Sequence, residues 1–136
     1  MVDLMAQYQK IKPEVDKAIL NVIENAAARG TQLFEGAQAL MGKYEIIGDV
    51  RGGHGLMTAL EMVSDRATKK PIDAGTAQTV QDVTYDNGAM VRVSGPNLIL
   101  SPPLVLTEDD VTIMLNAIDA GFAAATKSQA KSQTLE

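Results

Sequence analysis

The stretch "GDVRGGHGLM", residues 48–57, decides how this chain folds. Gly52, Gly53 and Gly55 crowd beside Arg51, a composition that invites a phosphate-loop reading. Such a loop needs its glycines between a strand and the start of a helix, so that helical N–H groups and the helix dipole point at the anion. Here "YEIIGDV" (44–50) precedes, short and rich in β-branched residues, and "GLMTALEMV" (55–63) follows as an apolar run of similar length. Both read as strands. The glycines therefore join strand to strand, no Lys-Ser or Lys-Thr pair follows them, and the expectation is a sharp, irregular connection that only glycine makes easily.

Working outward, residues 13–44 carry Val15, Ile19, Val22, Ala26, Leu33, Ala37, Leu40 and Tyr44 mostly three or four apart, the spacing of one helical face. This predicts a long amphipathic helix, or two joined ones, with Pro13 in the first turn, where a missing N–H does no harm. Arg29-Gly30 interrupts the stripe, so a kink or seam is expected there. On the other side, "SDRATKKPID" reads as a polar surface loop with Pro71 as breaker. Asp73 caps a helix over residues 74–86 with Ala77, Val80, Val83 and Thr84 on one face, and Asn87-Gly88 stops it. "AMVRV", "SGPN" and "LIL" make a strand, a turn and a strand. After "SPPL", Thr107 with Glu108, Asp109 and Asp110 forms a helix start, followed by the stripe Val111, Met114, Leu115, Ile118, Phe122 and Ala125. The order predicts a two-layer α+β domain: a long N-terminal helix, a small, mostly antiparallel sheet and a C-terminal helix. One domain is expected over residues 1–126. The polar residues 127–136 read as a disordered tail, with Leu135-Glu136 as a cloning scar.

With 136 residues, 46% of them hydrophobic, the chain supports one core. It has no cysteine and one histidine, which removes disulfides, thiolate metal sites and a zinc cluster. A net charge of −5 without a basic cluster argues against nucleic acid. No apolar run approaches the roughly 20 residues of a membrane span, and no signal peptide opens the chain, so a cytoplasmic protein is expected.

Among candidate residues, His54 has no nucleophile partner and reads as an exposed loop side chain. Glu108, Asp109 and Asp110 are explained by capping and the helix dipole rather than by a metal. Met5, Met41, Met57, Met62, Met90 and Met114 read as core filler. No aromatic stacking platform is present. Arg92 differs. It lies within an apolar strand, where an unpaired guanidinium is costly to bury, and two readings stay open: a surface charge or an anion-binding group.

From about residue 25 to 125, "IGDVRGGHGLMTALEMVSDRATKKPID" followed by "GAMVRVSGPNLILSPPLVLTEDDV" resembles the C-terminal part of class III pyridoxal-phosphate-dependent aminotransferases of the amine:pyruvate, or ω-transaminase, type. The resemblance implies the small domain of a fold-type I aminotransferase, with the glycine-rich stretch joining two of its strands. It implies a role for Arg92 as a mobile group that pairs with a substrate carboxylate and swings away for an apolar amine substituent. Ornithine and γ-aminobutyrate relatives place an arginine within the strand before "SPPL", where this chain has Ile99. That departure points to amines or ω-amino acids as substrates of the parent enzyme.

The family's chemistry also implies a Schiff-base lysine, an acid at the pyridine nitrogen and a phosphate cup. All belong to the large domain that precedes these segments. Lys10, Lys12, Lys17, Lys43, Lys69, Lys70, Lys127 and Lys131 lack the family's motif, so no catalytic or cofactor-binding residue is assigned and the chain alone is expected to be inactive. Pyridoxal 5'-phosphate is the cofactor of the parent family, not of this chain alone. "VDLMAQYQKIKPEVDKAILNVIE" resembles the opening of DegT/DnrJ-type sugar aminotransferases, which implies a joined chain, a chimera with its seam near residues 24–28. An exposed large-domain-facing surface would drive homo-oligomer formation.

Overall fold

Asp3 decides where the first helix starts: its carboxylate accepts from the Ala6 N–H (3.0 Å), satisfying one of the donors that a helix N-terminus leaves open. The structure, a computed structural model, describes residues 3–133, the last five by backbone alone. Helix α1 runs unbroken over Leu4–Lys43. Pro13, expected in the first turn, lies inside it, because the Asp3 cap nucleates the helix earlier. No break falls at Arg29-Gly30 or across residues 24–28.

Gly30 is buried instead, and a Cβ there would overlap the Gly55 carbonyl. The glycine that looked like an interruption lets α1 touch the loop backbone. Only the second half of the predicted stripe enters the core: Leu33, Ala37, Leu40 and Tyr44 are buried, while Val15, Ile19 and Val22 are exposed.

Strands β1 (Ile47–Arg51) and β2 (Thr58–Asp65) pair antiparallel on either side of the glycine-rich connection. Gly53 and Gly55 hold φ of +86° and +90°, the left-handed region that side-chain-bearing residues avoid. The expected loop after β2 is largely a hairpin. Ser64 and Asp65 extend β2, and Lys70 and Pro71 return as β3 (Lys70–Pro71), with the Asp65 carboxylate accepting from the Thr68 N–H at 2.9 Å. Pro71 is tolerated because β3 is an edge.

Helix α2 (Ala74–Asp86) is capped as expected, the Asp73 carboxylate accepting from the Thr76 N–H and hydroxyl at 2.9 and 2.6 Å. β4 (Arg92–Ser94) and β5 (Asn97–Leu100) form the second hairpin. The sheet order is β1-β2-β5-β4 with β3 beside β2, every pairing antiparallel. Helix α3 (Glu108–Gln133) starts on a capping box: Asp110 accepts from the Thr107 N–H at 2.9 Å, and the Asp110 N–H donates to the Thr107 hydroxyl at 3.2 Å. Residues 127–133, expected as a tail, continue α3, since extending a formed helix costs far less than nucleating one. The terminal Leu135-Glu136 lies outside the described residues.

Register fixes which side chains face the helices. Val50, Leu60, Leu98 and Val93 form one cross-strand row, which packs against the helices with Leu33, Ile118 and Phe122. The neighbouring row, Arg51, Ala59, Ile99 and Arg92, takes the opposite face because side chains alternate along each strand. Fully burying a side chain such as Leu33 or Phe122 contributes about 1.5–3 kcal/mol. Of the methionines expected as core filler, Met62 is fully buried, whereas Met5, Met57 and Met90 are exposed.

Candidate functional site

The two ends of that outer row hold arginines in opposite circumstances. On β1, Arg51 donates to the Asn97 side-chain oxygen at 2.5 Å and lies 3.6 and 3.7 Å from Asp49 and Glu61. On β4, Arg92 is exposed, with neither hydrogen bond nor ion pair among the described residues. Its neighbour across the β4–β5 pair is Ile99, so the two strand positions at which the family resemblance looks for an arginine stand side by side.

Arg92 borders a cleft of about 910 Å³ bounded by the end of α2, residues 88–92, the "SPPL" segment and the first turns of α3. Tyr85, Met90, Val105 and Ile113 expose 53–83% of their surface there, giving the cleft apolar walls. Gln81 accepts from the Val93 N–H at 3.0 Å and fixes β4 against α2. Two carboxylates also border the cleft. Asp82 accepts from Gln78 at 2.7 Å, and Asp110 is engaged by its capping box. The Thr107 hydroxyl and N–H hold Asp110 below the usual carboxylate range. An apolar cleft with a single unpaired guanidinium suits a molecule with an apolar body and a carboxylate.

The remaining candidates lie elsewhere. His54 is exposed between β1 and β2. Glu108 sits 3.2 Å from Arg29, and no acid or histidine group able to hold a metal occurs among the described residues. Lys43 donates to Asp119 at 2.6 and 2.7 Å, and Lys12 pairs with Asp16. No described lysine borders the cleft and two of its lining residues, Asp82 and Asp110, are acids, so the cleft residues do not fit the aldehyde and phosphate of pyridoxal phosphate. No described helix is long and apolar enough to cross a membrane.

Two structural groups escaped the sequence reading. Arg66 donates through one nitrogen to the carbonyls of Met41, Tyr44 and Ile47 at 2.8–2.9 Å, closing the end of α1 onto β1. Tyr44 donates to Asp119 at 2.6 Å and stacks on Phe122. Burial, then the Asp119 bond, raises the phenol's pKa. Burial pushes Asp119 up, but the hydrogen bonds from Lys43 and Tyr44 outweigh it and hold this carboxyl below its ordinary range. Neither group has a sequence signal, because its partners are 19–76 residues away.

The sequence model of the family Aminotransferase class-III matches residues 14–122. The chain belongs to that family. Its relatives include the taurine–pyruvate aminotransferase of Bilophila wadsworthia, 38% identical over 109 residues, which cover 75% of this chain and 24% of the relative. The mitochondrial alanine–glyoxylate aminotransferase 2 homolog 2 of Arabidopsis thaliana is 41% identical over 111 residues, covering 75% and 23%. Among solved structures, the PLP-bound amine transaminase of an uncultivated Pseudomonas species superposes with a TM-score of 0.73 at 42% identity, covering 78% of this chain and 24% of that one. The ω-transaminase of Pseudomonas jessenii in complex with PMP gives 0.74 at 26% identity, over 88% and 25%. This class III chain thus spans about a quarter of the length of the relatives it matches.

Proposed function

We propose that this chain is the small domain of a class III aminotransferase that moves an amino group between an amine or ω-amino acid and a keto acid, and that Arg92 is its carboxylate clamp. The observation that carries this reading is the unpaired, exposed Arg92 guanidinium at the rim of an apolar cleft, when Arg51 in the same row has Asn97, Asp49 and Glu61 as partners. A planar fork on a flexible stem binds a carboxylate bidentately and rotates toward solvent when an apolar substituent enters. Pyridoxal phosphate, the electron sink of the family, would be held by the large domain, so the chain alone binds without turning over. A joined origin, with a sugar-aminotransferase-like start ahead of the class III segments, belongs to the same reading.

The test is complementation with a separately supplied class III large domain. Arg92→Ala should lower kcat/KM for keto acids about 10–100-fold, the loss of a charge-assisted pair of about 1.5–3 kcal/mol. Apolar amines should be affected much less. Equal losses for both substrate classes would defeat the assignment of Arg92. A protein-dependent visible band on adding pyridoxal phosphate to the chain alone, trapped by borohydride on one lysine, would defeat the expectation of inactivity.

A further inference from the structure

Arg92 sits on an edge. β4 is three residues long, stands last in the order β1-β2-β5-β4, and pairs with β5 alone. An edge strand leaves every second N–H without a ladder partner. The Ser94 end is closed by the turn: the Asn97 amide donates to the Ser94 carbonyl at 3.3 Å, and Arg51 donates to the Asn97 side-chain oxygen. The Arg92 end depends on α2. From there the Gln81 side-chain oxygen accepts from the Val93 N–H at 3.0 Å, taking the place that a further strand would occupy.

We propose that Gln81 is the positioning residue for Arg92, holding its strand still so that only the arginine side chain moves between substrate classes. The inference rests on the reading of Arg92 as a carboxylate clamp and adds a group that acts through the strand. Two observations support it. First, the Val93 nitrogen belongs to the peptide that joins Arg92 to Val93, so the Gln81 bond fixes that peptide plane and with it the direction in which the Arg92 side chain leaves the strand.

Second, Gln81 and Tyr85 lie one turn apart on the α2 face that borders the cleft. The same helix face therefore supplies the apolar wall and the anchor of the clamp, and one hydrogen bond sets the spacing between them. A bidentate guanidinium–carboxylate pair demands alignment, whereas apolar contact is non-directional. Loosening β4 thus falls on carboxylates and spares apolar groups. Ala89 and Val91 remain buried and the Ala89 N–H donates to the Thr84 carbonyl at 3.2 Å, so the chain entering β4 keeps its path when Gln81 is changed.

Gln81→Met keeps the reach of the side chain and removes its oxygen. By amide hydrogen exchange, the Val93 N–H should exchange about 10-fold faster in this variant, with the Phe122 N–H in the core of α3 unchanged. Gln81→Glu, which presents an oxygen at the same reach, should restore the protection. Phenylpyruvate, a keto acid with an apolar body, should bind Gln81→Met about 5–10-fold more weakly, followed at the Ile113 amide resonance. Benzylamine, an apolar amine, should bind both chains alike. In an Arg92→Ala background, Gln81→Met should add no further loss for phenylpyruvate.

Equal losses for the two probes, an additive loss in Arg92→Ala, or a Val93 N–H that quickens only in step with Phe122 would overturn the proposal and leave Gln81 a stability contact. If phenylpyruvate does not bind the unmodified chain, the clamp reading of Arg92 is what falls. A Val93 N–H bared selectively in Gln81→Met then still upholds the anchor, and an unchanged one overturns it.

Discussion

The two halves of α1 share one helix, one hydrophobic phase and comparable apolar content, yet residues 30–40 hold fully buried side chains and residues 4–22 hold none. Amphipathic periodicity states which face of a helix is apolar; it does not state whether anything lies against that face. What separates the halves is how far the rest of the chain extends along α1: the loop ahead of α3 reaches Asn25, where a polar side chain closes the packed region by bonding two loop carbonyls.

The sharpest way to break this contrast is to delete the same kind of side chain from each half. Leu33→Ala in the buried half should cost about 2–5 kcal/mol, because both transfer energy and a cavity are involved. Urea unfolding measures it, and a loss below 1 kcal/mol would mean that the α1 seat is loose. Gly30→Ala probes the same half differently: a Cβ against the rigid Gly55 carbonyl should cost about 1–3 kcal/mol, although alanine is the better helix former. Stabilisation by this change would show that the helix does not sit on the glycine loop. Asp73→Ala, at a cap remote from α1, should cost about 1 kcal/mol. Ile19→Ala, measured by the same unfolding at concentrations where the chain is monomeric, should change stability by less than about 0.5 kcal/mol.

The junction of α1 with α3 adds a pH signature. Asp119 is held below its ordinary pKa of 3.8 in the folded chain, so it binds protons less readily there than when unfolded. Its contribution is fully present above that ordinary value and is lost as the pH falls through the folded value. Asp119→Asn should remove this part of the acid sensitivity. Parallel stability–pH curves for the two proteins below pH 4 would show that the Lys43–Asp119–Tyr44 group does not hold the junction together.

The candidate cleft is legible in the chain only at single residues. Arg92 stands out in the sequence because a guanidinium in "AMVRV" breaks an apolar pattern, a local signal that survives any packing. That Ile99 stands beside it, that Tyr85 and Val105 wall the cleft, and that Arg51 is engaged where Arg92 is not depend on strand register and helix placement, which no local pattern carries. Arg66 carries no pattern at all; its three carbonyl partners come together only when β2 crosses the end of α1.

By itself the sequence determined the kinds and order of the elements apart from β3, the caps at Asp73 and Thr107, and the strand-to-strand placement of the glycines. These follow from short-range sterics and hydrogen bonding, which act within a few residues. Tertiary structure alone decided that Gly30 is a contact rather than an interruption, that Pro13 lies inside a helix begun at Asp3, and that Val15, Ile19 and Val22 are left uncovered. Each of those depends on how far another element extends, a distance that no local pattern of side chains encodes.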